Sequence, residues 1–329
     1  MKRFLSLLLL LGAWSTQLWA TVGYREWEVE GTTLSVWYPS GATETRRSIG
    51  PFELNYAFDG APRAGQWPLI VFSHGNGGHV HNHYLTLQAL AEAGFVVVAP
   101  QHGKAAVAKT LNVGPAIQQR VRDLDRAVSA VQADGALGAV VDRRWVHALG
   151  YGLGGTSVLV AAGAQVDESL IRKHCQDHAQ EDLDLCSNDP VSDLKQKLTS
   201  LFSAFSRANS ISTQEHFAPV HGRVAVVAPM GQGLQVKSGS FMVNRLLDIA
   251  VEGDVIRPPR FHAQVIQQTA PQLTTLQTMA GHHYAFLAPL PSWMLKKNEY
   301  FTVNDPPGFD RPAFLQQINA TLLRFFTAP

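Results

Sequence analysis

The feature that most constrains this chain is a rhythm. A short apolar run ends in glycine or a polar turn, a helical stretch follows, and the pair recurs along most of its 329 residues. Residues 67–72 form such a run and end at Ser73-His74-Gly75-Asn76-Gly77-Gly78. Residues 82–93 then place Leu85, Leu87, Leu90 and Ala91 on or near one helical face. Residues 95–99 read as a fully buried strand, and 117–131 set Val121, Leu124, Val128 and Val131 at helical spacing. Downstream, 145–149, 223–228, 246–251 and 273–279 read as strands, and 153–164, 260–268 and 309–326 as helices. Strands alternating with helices predict an α/β fold: a doubly wound, mainly parallel sheet covered on both faces. Two earlier runs, 24–29 and 32–38, flank Glu30-Gly31 and predict an antiparallel N-terminal hairpin at the sheet edge. Residues 165–219 break the rhythm, are too polar for core, and are expected to form a cap insertion in a single domain over 21–329.

Residues 1–20 stand outside this pattern. Lys2 and Arg3 precede an apolar run over 4–11, and Leu18-Trp19-Ala20 offers a cleavage site, the layout of a secretory signal peptide. The run is shorter than the roughly 20 residues that span a bilayer, so no transmembrane anchor is expected and the chain reads as exported, periplasmic or secreted. Without Lys2 and Arg3 the chain would carry 25 basic and 26 acidic residues. Such a balance gives no general attraction to nucleic acid or an anionic membrane. Export also bears on Cys175 and Cys186, the only cysteines, which lie in a polar stretch. In an oxidising compartment they are expected to form a disulfide; free thiols or a metal pair helped by His174 and His178 are the alternatives.

In a doubly wound sheet, chemistry gathers at the carboxyl ends of the strands. Those ends carry His74-Gly75-Asn76-Gly77-Gly78, then Gly150-Tyr151-Gly152-Leu153-Gly154-Gly155, then Glu252-Gly253-Asp254 before Pro258-Pro259, then Ala280-Gly281-His282-His283. With Pro100-Gln101-His102-Gly103, the cysteine pair and the closing Gly308-Phe309-Asp310-Arg311, these motifs make the chain resemble the α/β-hydrolase superfamily. The resemblance is to its exported dienelactone-hydrolase-like branch, related to platelet-activating-factor acetylhydrolases and secreted polyester hydrolases. It implies the α/β-hydrolase fold, carboxylic-ester-hydrolase ancestry and a nucleophile, acid, base order. That order is met by position 152, then Asp254, then His282. Asp254 would hold the imidazole of His282 in the right tautomer, with Glu252 and His283 as the fallback pair. Backbone N–H groups of Leu153 and of Gly75 or Asn76 would form the oxyanion hole.

One member is missing. The family elbow is Gly-x-Ser-x-Gly, and its central position here is Gly152. Without a hydroxyl or thiol the usual acyl-enzyme cannot form. The expected function is therefore a pseudoenzyme that binds a small hydrophobic or ester-like ligand, or a protein partner, without a cofactor. The alternatives are a hydrolase working through water activated by His282, a lyase or oxygenase using the His–Asp pair, and a structural envelope protein. His79, His81 and His83 invite a zinc reading, but no third ligand is evident at helical spacing and no metal is expected.

Overall fold

The computed structural model describes residues 21–106, 113–186, 220–237, 239, 241–292 and 304–328. The expected signal segment 1–20 and the distal insertion 187–219 lie outside them.

Twelve strands, β1 (Thr21–Val29), β2 (Thr32–Ser40), β3 (Thr45–Ile49), β4 (Phe52–Phe58), β5 (Trp67–Ser73), β6 (Val96–Pro100), β7 (Val141–Tyr151), β8 (Gln165–Val166), β9 (Arg223–Val227), β10 (Leu234–Gln235), β11 (Arg245–Val251) and β12 (Thr274–Met279), occur among the described residues. The helices are α1 (Tyr84–Glu92), α2 (Gly114–Ala133), α3 (Leu153–Ala161), α4 (Glu168–His178), the single turn α5 (Leu183–Cys186), α6 (Ala263–Thr269) and α7 (Arg311–Thr327). Ten strands join one sheet in the order β12-β11-β9-β7-β5-β6-β2-β1-β4-β3, while β8 and β10 pair separately. From β12 to β6 every pairing is parallel, and β6–β2 and β2–β1 are antiparallel.

This is an α/β-hydrolase-type fold. The central strands read as continuous apolar runs because both faces are covered. One core cluster packs α2, α3 and α6 against one face through Val121, Leu124, Leu159 and Ile266. The other packs α1 and α7 against the opposite face through Leu87, Leu90, Ile318 and Leu322. The N-terminal hairpin is corrected in one respect: β1–β2 lies inside the sheet, and a second hairpin, β3–β4, forms the edge. No described helix is long and apolar enough to cross a membrane.

Candidate functional site

The turn from β7 into α3, read from the sequence as the elbow, is closely packed. At Gly152, between β7 and α3, the backbone sits at φ +55° and ψ −124°. Its N–H donates to the carbonyl of Val227 (3.0 Å), and its own carbonyl accepts from Gly155 N (3.0 Å). The glycines around it have no room for a side chain. A Cβ on Gly150 would lie 2.4 Å from the carbonyl oxygen of Gly154, and one on Gly154 would lie 2.1 Å from that of Ser73. Gly152 differs: a Cβ there would meet only the Cα of Gly75, at 3.7 Å, an ordinary contact. Space for a side chain remains at Gly152, and the cost of adding one is the positive φ, which L side chains resist.

Asp254 does not meet His282. Its Oδ2 is 2.7 Å from Nδ1 of His283. Its Oδ1 accepts from the N–H groups of Ile256 (2.8 Å) and Arg257 (2.7 Å). Burial pushes this carboxyl up, but the bond to His283, that residue's charge and the two N–H groups outweigh it and hold the pKa below the ordinary value. His283 is seated against the elbow. Its carbonyl accepts from Tyr151 Oη (2.9 Å), and the two rings lie 5.2 Å apart. No described residue hydrogen-bonds its Nε2. His282 turns the other way, with its Nε2 2.9 Å from Oδ1 of Asp305, which Arg311 also grips at 2.6 Å. It anchors the start of α7. Glu252, the fallback acid, is exposed on the turn.

Beneath the Ser73–Gly78 loop lies a buried network that sequence inspection missed. Ser73 Oγ donates to His102 Nε2 (2.9 Å), and His102 Nδ1–H donates to Asp123 Oδ2 (2.9 Å). The connectivity is that of a serine triad, yet Ser73 is wholly buried, so no substrate carbonyl reaches it. The N–H of His102 donates to Nε2 of His74 (3.2 Å), which fixes the His74 tautomer with its Nδ1–H on the carbonyl of Gly75 (2.9 Å). Burial pulls both imidazoles well below their ordinary pKa, so both are neutral at pH 7.

Arg120 completes the network from α2. Its guanidinium is wholly buried and donates to the carbonyls of His74 (2.7 Å), Gly75 (3.2 Å) and Ala106 (2.8 Å). Burial lowers its pKa to about 9, with Asp123 opposing, and it stays charged at neutral pH. In a trans peptide the C=O and the following N–H point oppositely. Because Arg120 takes the carbonyls of His74 and Gly75, the N–H groups of Gly75 and Asn76 must face away from it. Leu153 opens α3, where first-turn N–H groups lack intrahelical partners.

Of the three early histidines, His79 and His81 stack with ring centroids 5.1 Å apart, and His81 Nε2 pairs with Tyr24 Oη at 2.8 Å, whereas His83 is buried apart from them among Phe72, Tyr151 and Phe286. Among the described residues the one group spaced to ligate a metal is His174, Asp182 and Cys186. Cys175 and Cys186 form the expected disulfide.

A family model described as platelet-activating factor acetylhydrolase, isoform II, matches residues 43–133. Over that stretch the chain is similar to the family. No match was found among curated proteins. The matched stretch runs from β3 to the end of α2. It contains Ser73, Gly75, His102, Arg120 and Asp123, and stops before the elbow, Asp254 and His283.

Proposed function

We propose that this chain is an exported α/β-hydrolase-type protein that binds an ester-like or hydrophobic small molecule and performs no nucleophilic ester hydrolysis. The observation that carries the reading is Gly152: it turns β7 into α3 at a φ of +55°, with open space where a Cβ would sit, and has no side chain to act as a nucleophile there. Asp254 and His283 would be the inherited acid and base. Gly75, Asn76 and Leu153 would supply the oxyanion donors, oriented on the loop side by Arg120. A cavity of about 550 Å³ lies beside residues 79–82, which follow this loop; it is lined by Glu26, Ser35, Phe52, His79, His81 and Leu290 among others, and by none of Gly75, Gly152, Leu153 or His283. Its mixed apolar and polar wall suits an ester with an apolar body.

The test is a paired assay of the wild type and Gly152→Ser on a short-chain p-nitrophenyl ester, with ligand binding followed by thermal shift. A silent wild type and an active serine variant are the expected result. Turnover by the wild type, abolished in His283→Ala, would overturn the proposal in favour of a second reading, in which His283 activates water. The open Nε2 of His283 favours that second reading, and triad-deleted hydrolases retain roughly 10³–10⁴-fold catalysis over water. Silence from both variants in folded protein would rule out an intact site and leave partner binding or a structural role.

A further inference from the structure

The disulfide joins two residues that stand among metal-ligating groups. His174, beside Cys175 on α4, has its Nε2 2.9 Å from Oδ2 of Asp182. The ligand atoms of His174, Asp182 and Cys186 all lie within 4.8 Å of one another. Tetrahedral zinc with ordinary Zn–S and Zn–N bonds spaces its donors roughly 3.3–3.8 Å apart. All three side chains are buried. As long as the two sulfurs are bonded to each other, neither is a thiolate, and the thiolate is the metal ligand.

Asp182 is held ready. His262 accepts the N–H of Gly231 on its Nδ1 (3.1 Å), so its proton sits on Nε2, which lies 3.2 Å from Oδ2 of Asp182. That tautomer makes His262 a donor to the carboxylate and excludes its Nε2 from ligation. It takes the part of the outer partner that commonly orients a metal-bound group. Of the two histidines that the sequence offered to a cysteine metal pair, His178 stands aside, half exposed and bonded to Glu181.

The loop is also held in place without its sulfurs. Arg257 pairs with Asp184 at 2.5 Å and Arg260 with Glu181 at 2.7 Å. Together with His262–Asp182, these contacts fasten 181–184 to 257–262.

We propose that this loop is a zinc site exchanged for its disulfide: on reduction, His174, Cys175, Asp182 and Cys186 bind one Zn²⁺. A dithiol reductant gives two electrons and two protons to the S–S bond and leaves as its own cyclic disulfide. Cys175 and Cys186 become thiols. Zn²⁺ then displaces both thiol protons to solvent, and His174 turns a free Nε2 lone pair to the metal by carrying its proton on Nδ1. The same loop is closed by a covalent bond in one state and by a metal in the other.

The experiment titrates the dithiol-reduced, desalted full chain with Zn²⁺ against a chromophoric chelator, and with Co²⁺ to read the thiolate-to-cobalt charge-transfer band. The oxidised chain and the Cys175→Ser/Cys186→Ser variant serve as controls. The expected result is one tight equivalent in the reduced wild type, with the thiolate band, and none in either control. His174→Ala and Asp182→Asn should each weaken zinc by about 10–100-fold. Circular dichroism accompanies every arm; should Asp182→Asn fail to fold, His174→Ala decides alone. Absence of a stoichiometric equivalent overturns the proposal. So does zinc affinity unchanged in His174→Ala, which would mean plain dithiol chelation. A reduced chain that stays unfolded with zinc present overturns it as well, since the folded loop is the chelator proposed.

Discussion

Two glycines two residues apart answer to different physics. At Gly152 the obstacle to a side chain is the φ of +55°, with open space around the Cβ position. At Gly154 the obstacle is the carbonyl of Ser73, 2.1 Å from where a Cβ would sit. Gly152→Ala should therefore cost about 1–3 kcal/mol, the usual cost of such a backbone conformation. Gly154→Ala should cost more, because β5 must move away from α3. Urea denaturation of the two variants checks this, and equal losses would contradict the assignment. The glycine-rich turn Gly150 to Gly154 between strand and helix was legible in the sequence, through its resemblance to the family motif and its place after an apolar run. The choice between His282 and His283 was not. Adjacent residues leaving a strand point opposite ways, and which one meets Asp254 depends on distant groups. Tyr151 ties down the His283 backbone, while Asp305 and Arg311 capture His282.

At the scale of elements, the direct hydrogen bonds from α2 to the backbone of the β5 loop come from Arg120, with Asp123 reaching the same loop through His102. Arg120 satisfies three backbone carbonyls, and its guanidinium has no solvent exposure. Arg120→Met would take this donor from the carbonyls of His74 and Ala106, while that of Gly75 keeps His74 Nδ1–H and the N–H of Gly78; each buried polar group left unsatisfied costs about 1–3 kcal/mol. A drop in stability of that size is expected by chemical denaturation. In the Gly152→Ser background, Arg120→Lys should lower kcat more than it raises KM, because the donors rather than the cavity are displaced. Unchanged ester kinetics in that double variant would detach Arg120 from the loop's function. The elements themselves were largely legible: the buried strands and α1, α2, α3 and α7 follow apolar periodicity that packing on the sheet preserves. The β3–β4 hairpin was not. Thr45–Ile49 is almost wholly exposed and carries two arginines, so its only strand signal is its pairing with β4. Arg120 and Asp123 escaped for a related reason: each lies in an unremarkable local context, and although the turn holding His102 stood out, its part in the network exists only once α2 lies under the loop.

The whole molecule carries 13 histidines, and the fold buries many of them. Burial lowers His81 and His147 to about 4 and His83 to about 3, and holds His74, His102 and His262 below the ordinary value. Between these values and about 6.5 the unfolded chain binds more protons than the folded one, so stability falls as the pH falls. Each such group contributes a slope of up to about 1.4 kcal/mol per pH unit. Asp248 works in the opposite direction. It sits at the centre of β11, wholly buried, with no hydrogen-bond partner for either oxygen among the described residues, and burial raises its pKa to about 8. From about pH 4 to 8 the folded state keeps a proton that the unfolded chain has released, so stability is lost as the pH rises through that window. The two trends cross. Below about pH 6.5 several imidazoles outweigh one carboxyl and stability drops steeply with acid, whereas from 6.5 to 8 the slope of Asp248 is left exposed. Thermal unfolding from pH 4 to 8 should therefore show a maximum near pH 6.5. Asp248→Leu should remove the decline on the alkaline side, leave the acid limb steep, and gain most over the wild type at pH 8. A wild-type profile flat between 6.5 and 8, or a leucine variant that gains nothing there, would show that Asp248 finds a partner the folded chain does not reveal.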